Sequence, residues 1–88
     1  MAKKLGRLND ARVLQEQVVA GYESSGEGES DRALLALLNL AATLGELHES
    51  AEASRLMHLV LTVRLRTLGP DDPKTLEVLE ILGSGPGA

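Results

Sequence analysis

Residues 34–40 read Leu-Leu-Ala-Leu-Leu-Asn-Leu, and residues 76–82 read Leu-Glu-Val-Leu-Glu-Ile-Leu. Both segments carry leucine at the first, fourth and seventh positions, and the second segment begins 42 residues after the first. Spacings of three and four residues place side chains on one face of an α-helix. The same offset relates a second set of identical residues: Ala11, Leu14 and Val18 match Ala53, Leu56 and Val60. A gapless helical repeat of this length predicts an all-α stack of antiparallel helical hairpins.

The composition predicts a small core without aromatic side chains. The chain has 88 residues with one Tyr, no Phe, no Trp and no Cys, so Leu, Val and Ala must fill the interior. The absence of Cys rules out disulfides and thiolate metal sites, which fits a cytoplasmic location. The net charge of −4 disfavours a nucleic-acid partner. The longest apolar stretch is too short to cross a membrane, so we expect no membrane partner.

The breaks in the apolar pattern predict four helices. Gly69-Pro70 ends a helix, because Gly suits the left-handed position beyond a helix end and Pro often follows. Asp72 and Ser30 are predicted N-caps, with Pro73 as a first helical residue. The resulting helices cover about 8–25, 31–46, 49–68 and 73–82. The domain extends over 5–82, and the Gly-rich residues 83–88 are predicted to be a flexible tail.

The helices differ in how much of their surface is apolar. In the first helix, one stripe is predicted to face the core: Ala11, Leu14, Val18, Val19 and Tyr22. Its other side is polar, as expected of an end helix. The second helix is apolar on nearly all sides, and the third is wide, with Leu59 and Leu65 extending its face. Leu40 and Leu56 lie mid-stripe, so we expect both to be buried.

Several segments together resemble the tetratricopeptide repeat (TPR), in the 42-residue variety typified by kinesin light chains. They are Asn39-Leu40-Ala41-Ala42-Thr43-Leu44, then Ala53 and Leu56, then the loop Leu68-Gly69-Pro70-Asp71-Asp72-Pro73. The resemblance implies a TPR-type α-solenoid fragment in permuted register, with a second helix, a full repeat and a first helix. The turn residue that is Gly in the family is His48 here.

The resemblance also implies a concave surface that binds an extended peptide or a partner helix. Carried over to this chain, its residues are Leu35, Leu38, Asn39, Ala42, Glu46, Glu77 and Glu80. An amide such as that of Asn39 offers a donor and an acceptor to a peptide backbone. The alternative is that Asn39 only ties adjacent helices together. For Leu35 and Leu38, the alternative is burial in the stack or in a self-association interface.

The residue pattern contains no recognisable catalytic arrangement. His48 and His58 lack the spacing of helical metal ligands and are predicted to be solvated or packed in a turn. Arg64 and Arg66, with Arg55, are predicted to form the cationic end of the third helix. We therefore expect no catalytic residue, no metal and no cofactor, and we interpret the chain as a non-enzyme.

Two functions remain open for this sequence. The first is a protein–protein interaction module, an adaptor or scaffold that binds a protein or peptide partner. The second is structural self-association, because the exposed apolar residues exceed what four short helices can cover. We expect Val78, Ile81 and Leu82 to contribute to a homo-oligomer, most simply a two-fold dimer through the second and fourth helices, with Leu35, Leu38 and Leu59 adding apolar surface. A DNA-binding helix-turn-helix is disfavoured by the acidic charge.

Overall fold

Four α-helices joined by short loops form the described part of the chain. The computed structural model describes the backbone of residues 2–84 and the side chains of residues 6–83. The helices are α1 (Ala2–Ser24), α2 (Asp31–Glu46), α3 (Ser50–Leu68) and α4 (Pro73–Ser84). Residues 2–84 contain no β-strand, so the predicted all-α class is confirmed.

Each helix packs only on its neighbours in chain order. Within residues 2–84, α1 packs on α2, α2 on α3 and α3 on α4, and no other helix pair has closely spaced backbones. Short connections make consecutive helices antiparallel. The stack therefore has two layers, with α1 and α3 in one layer and α2 and α4 in the other. The Cα atoms span 42 × 35 × 17 Å, which is the flattened shape of such a stack.

The helix bounds agree with the prediction except at the two ends. α2 matches it, and α3 begins one residue later than predicted. α1 begins at Ala2 instead of residue 8, so residues 2–7 are also helical. Most residues before Leu8 are good helix formers, which favours the longer helix. α4 includes Gly83 and Ser84, which were assigned to the tail, and residues 85–88 lie outside the described part of the chain.

Side chains cap the helices where the sequence predicts. Ser30 Oγ accepts a hydrogen bond of 3.2 Å from the Ala33 amide at the start of α2. Asp72 Oδ1 accepts one of 2.9 Å from the Lys74 amide at the start of α4. These bonds satisfy amide groups that have no partner within their helices. Gly69 has φ 89° and ψ 169°, an extended conformation open to glycine but not the left-handed helical one that was predicted.

His48 occupies the one left-handed position held by a non-glycine residue within residues 2–84, with φ 64°. The amide of His48 donates to the Gly45 carbonyl at 3.0 Å, and the Glu49 amide donates to the Leu44 carbonyl at 2.8 Å. This pair of hydrogen bonds is the Schellman motif, which usually has glycine at the left-handed residue. The predicted turn role of His48 is thus confirmed, in a conformation that a side chain disfavours.

Helices α2 and α3 supply most of the core. The buried apolar residues are Ala33, Leu34, Leu37, Leu40, Ala41, Leu44, Ala53, Leu56, Met57, Val60, Val63 and Val78. The predicted burial of Leu40 and Leu56 is confirmed. Since α2 and α3 each lie between two other helices, apolar residues on two of their faces are covered.

The predicted inner stripe of α1 is partly wrong. Leu14 and Val18 are exposed, whereas Ala11, Val19 and Tyr22 are half-buried. The difference arises because α2 is the one helix that packs on α1 within residues 2–84, and it covers a single face of α1. Leu14 and Val18 correspond to Leu56 and Val60, on the face with which α3 contacts α2, and no helix of residues 2–84 covers that face of α1.

The prediction for the self-association residues of α4 is wrong for Val78. Val78 is only 1% exposed and belongs to the core. It packs there because α3 covers the face of α4 that carries Thr75 and Val78, three residues apart and both buried. Leu82, also expected to be exposed, is half-buried against the core, whereas Ile81 is exposed.

Candidate functional site

Four of the predicted partner-binding residues form one exposed stripe along α2. Leu35, Asn39, Ala42 and Glu46 follow each other at spacings of four, three and four residues, which keeps them on one helix face. All four are exposed, and the neighbouring Leu38 is half-buried against the core. The stripe runs the length of the layer formed by α2 and α4.

A groove opens at the N-terminal end of this stripe, between α2 and α4. Its volume is about 130 Å³, and we call it the α2–α4 groove. Seven residues line it: Asp31, Leu35, Leu38, Arg64, Lys74, Glu77 and Val78. It exists because α2 and α4 both pack on α3 while their own backbones stay apart. The structure thus brings Leu35, Leu38 and Glu77 together from the predicted set.

A three-residue charge network closes one end of the groove. Arg64 Nη1 of α3 donates to Asp31 Oδ1 at 3.0 Å, and Lys74 Nζ of α4 donates to Asp31 Oδ2 at 3.2 Å. The hydrogen bond from Lys74 lowers the pKa of Asp31, and the charges of Lys74 and Arg64 act in the same direction. Asp31 also begins α2, where a carboxylate complements the helix dipole. One carboxylate therefore ties three helices together.

Arg64 is the most unusual side chain of the groove. Its side chain is only 4% exposed, yet Asp31 is its single ion-pair partner within the described residues. The Nε atom is buried and has no hydrogen-bond acceptor in the described part of the chain. A buried donor without an acceptor costs stability, and such groups are few in folded proteins. The groove is therefore lined by a guanidinium group that is almost wholly buried and whose hydrogen-bonding capacity is only partly used within the described residues.

The remaining predicted residues lie outside the groove. Asn39, Ala42 and Glu46 continue along α2, and Glu80 is exposed on α4. No hydrogen bond joins the Asn39 side chain to another helix of residues 2–84. The backbone carbonyl of Asn39 accepts a hydrogen bond of 3.2 Å from Thr43 Oγ1 within α2. The interpretation that Asn39 ties helices together is therefore not supported, and its amide is available to solvent or a partner.

Sequence reasoning missed the charged part of the groove. Arg64 was assigned to a cationic helix end, but it is buried and paired with Asp31. Arg66 pairs with Glu29, and Arg55 pairs with Glu52. The signal for Arg64 was present in its position: it lies four residues after Val60, on the buried face of α3. A charged residue on an apolar face is seldom buried without a partner.

A second groove lies in the opposite layer, between α1 and α3. Its larger lobe has a volume of about 280 Å³, with Leu37, Leu40 and Leu44 of α2 lining it. Several charged side chains line its edges: Glu16, Glu23, Glu52 and Arg55. Glu52 and Arg55 form an ion pair that lowers the pKa of Glu52. This α1–α3 groove is larger, but none of the predicted partner-binding residues lines it; Leu59, which was expected to add apolar surface for self-association, does.

The two histidines are placed as the sequence predicts. His48 is exposed in the turn between α2 and α3, and His58 is exposed on α3, with Nδ1 at 2.7 Å from the Ser54 carbonyl. The described residues contain no group of three His, Cys, Asp or Glu side chains that could hold a metal ion. None of the helices in residues 2–84 has the length and apolar character needed to cross a membrane.

The helical pair α2–α3 and the loop after it match a known repeat. Residues 33–74, from the first turn of α2 to the start of α4, match the sequence profile of the tetratricopeptide repeat family. Residues 33–74 form a tetratricopeptide repeat. The TPR is of the kinesin-light-chain-like variety, so the family resemblance is confirmed. No significant match was found among curated proteins or among solved structures.

The TPR assignment explains the arrangement of the grooves. The four helices form a TPR-type stack of helical hairpins, with α2 and α3 as the pair inside the matched repeat. TPR units in general mediate protein–protein interaction. The α2–α4 groove lies on the layer that contains the first helix of this TPR.

Proposed function

We propose that this chain is a non-catalytic protein-binding module, acting as an adaptor or scaffold in the cytoplasm. Its binding surface is the α2–α4 groove, continued along the exposed stripe of α2. The partner is an extended protein segment that places an apolar side chain against Leu35 and Leu38. The general role of TPR units supports this proposal.

The observation that carries the proposal is the pairing of apolar and polar groups in one groove. Leu35 and Leu38 form an apolar wall, and the exposed side chains of Lys74 and Glu77 line the same groove. Such polar groups can bind a peptide backbone, while a neighbouring side chain of the peptide covers the leucines. The exposed Asn39 extends the polar contacts to the next part of the segment.

The test is a selection of peptides from a random library displayed on phage. Selected peptides are then measured against the purified chain and its Leu35→Asp variant by fluorescence anisotropy. We expect the substitution to weaken binding at least about tenfold, because a carboxylate replaces an apolar contact in the groove. Glu77→Lys should change the charge preference of the selected peptides.

The matched control is Leu65→Asp. Leu65 is an exposed leucine of α3 that does not line the α2–α4 groove. It should leave peptide affinity unchanged. Equal affinity for the wild-type chain and Leu35→Asp would place the binding surface elsewhere, and a selection that enriches no peptide would contradict the proposal.

Self-association is a second candidate, favoured by the exposed apolar residues. Leu35, Leu59 and Ile81 remain exposed, as the sequence predicted. The exposed leucines and valines also include residues on the two end helices. A large uncovered apolar surface is unusual in a monomer. This candidate is independent of peptide binding, and both can hold for one chain.

A further inference from the structure

α1, at the N-terminal end of the stack, exposes residues whose counterparts 42 positions later, in α3, are buried. Leu14 of α1 is 62% exposed, whereas Leu56, 42 residues later in α3, is 7% exposed. Val18 is likewise 50% exposed, whereas Val60 is fully buried. The residues are identical in type and sit on equivalent helices, so the difference comes from the neighbouring helices alone.

The difference lies in the helix that precedes each of the two. α3 packs on α2 before it and on α4 after it, whereas within residues 2–84 α1 packs on α2 alone. Leu14 and Val18 therefore lie on the face that α3 uses to contact its preceding helix. We call this surface the α1 end face.

The C-terminal end of the stack shows the converse difference. Leu76 of α4 is 49% exposed, whereas its counterpart Leu34 in α2 is 2% exposed. Leu79 is 41% exposed and its counterpart Leu37 is buried. α2 has a helix after it and α4 has none in residues 2–84. Leu76 and Leu79, the α4 end face, thus lack the following helix.

The two end faces are complementary to each other. The α4 end face repeats the surface with which α2 contacts α3, and the α1 end face repeats the surface with which α3 contacts α2. The chain already contains the packed form of this pair, the α2–α3 hairpin. Placing α4 of one copy against α1 of another reproduces that hairpin with the same leucines and valines.

We propose that two copies of this chain associate head to tail, with the α4 end face of one copy packed on the α1 end face of the next. The contact is heterologous, so each added copy leaves one end face open at either end. Assembly therefore continues with concentration or closes into a ring. It differs from the two-fold dimer expected from the sequence, and it does not depend on the α2–α4 groove.

The first experiment measures the mass of the wild-type chain in solution. Sedimentation velocity from about 10 μM to about 1 mM covers the range expected of a weak interface. The average mass should rise with concentration above that of the 9.3 kDa monomer. A monomer throughout this range would overturn the proposal.

The second experiment separates head-to-tail contact from two-fold pairing. One variant, Leu14→Glu with Val18→Glu, blocks the α1 end face, and another, Leu76→Glu with Leu79→Glu, blocks the α4 end face. Each variant alone should be a monomer, because a chain needs both faces to continue. An equimolar mixture should form a one-to-one complex through the two intact faces.

Two other results would overturn the proposal. A blocked variant that still pairs with itself would indicate a two-fold contact, and a mixture that stays monomeric would show that the end faces do not bind. The mixture remains informative if a substituted helix frays, since each variant contributes its unaltered end. Far-ultraviolet circular dichroism checks that the rest of the chain is helical.

The control variants separate this proposal from peptide binding. Leu65→Glu should assemble like the wild-type chain, because Leu65 is exposed on α3 and its counterpart in α1 is already Glu23. Leu35→Asp, which should impair the groove, should also assemble normally. Loss of assembly in either control would indicate that the interface is not formed by the end faces.

Discussion

Leu14 and Leu56 occupy equivalent positions of the 42-residue repeat, so mutating each of them measures how much burial of a leucine contributes to stability. Leu56→Ala and Leu14→Ala remove the same atoms at equivalent positions, with the original side chains 7% and 62% exposed. Removing the buried leucine should cost about 2–5 kcal/mol, because a transfer term and a cavity term add. The exposed leucine is only about one-third buried, so its loss should cost less than about 1 kcal/mol.

The difference is large compared with the stability of so small a domain. At about 0.05–0.15 kcal/mol per residue, a chain of this length unfolds with roughly 4–13 kcal/mol. Urea unfolding followed by circular dichroism gives the two free energies, and thermal unfolding gives shifts of about 4–8 °C per kcal/mol. The protein concentration should be low, because the α1 end face contains Leu14. Equal losses at the two positions would refute the assignment of the exposed face.

His48→Gly should stabilise the fold by about 1 kcal/mol, since glycine adopts the left-handed conformation without a steric penalty. Urea unfolding measures this gain in the free energy of unfolding. The control is Glu49→Gly, which should give no gain because Glu49 has φ −98°. Asp31→Asn should make the free energy of unfolding less dependent on pH in the acid range. The pKa of Asp31 is lowered in the fold, so its contribution is present above the ordinary value of 3.8 and is lost as the pH falls below it. Unfolding free energies at neutral pH and below pH 4 should therefore differ less in Asp31→Asn than in the wild-type chain, and an unchanged difference would contradict the role of the Lys74–Asp31–Arg64 network.

Periodicity predicted the helices and the inner faces of α2 and α3, but it failed where neighbours decide burial. Leu14 and Leu56 have the same sequence position in their copies, so no local pattern distinguishes them. The two positions differ in the number of helices that pack against them, which depends on the assembled stack and not on the local sequence. The same reason explains Val78, which lies on the face of α4 that α3 covers.

The leucines and Glu77 of the candidate site were predicted from the sequence, but its ion-pair network was not. Leu35 and Leu38 followed from the family resemblance, and the structure places both in the α2–α4 groove with Glu77. The charged part depends on a contact between residues 31 and 64, which belong to different helices. Spacing within one helix carries no information about such a pair. Asn39 and Glu80 share the exposed surface but do not reach the groove.

The helices pack in chain order, each against the helix before it and the helix after it. Within residues 2–84, α1 packs on α2 and α4 packs on α3, so the helix packing is between segments adjacent in the chain, with the Lys74–Asp31 ion pair as an added link between α4 and α2. Such contacts close short loops, which favours rapid folding. Stability then becomes a sum of helix and interface terms along the stack. No packing contact joins α1 to α4 within residues 2–84, so the two ends of the stack can open independently while the central α2–α3 hairpin stays folded.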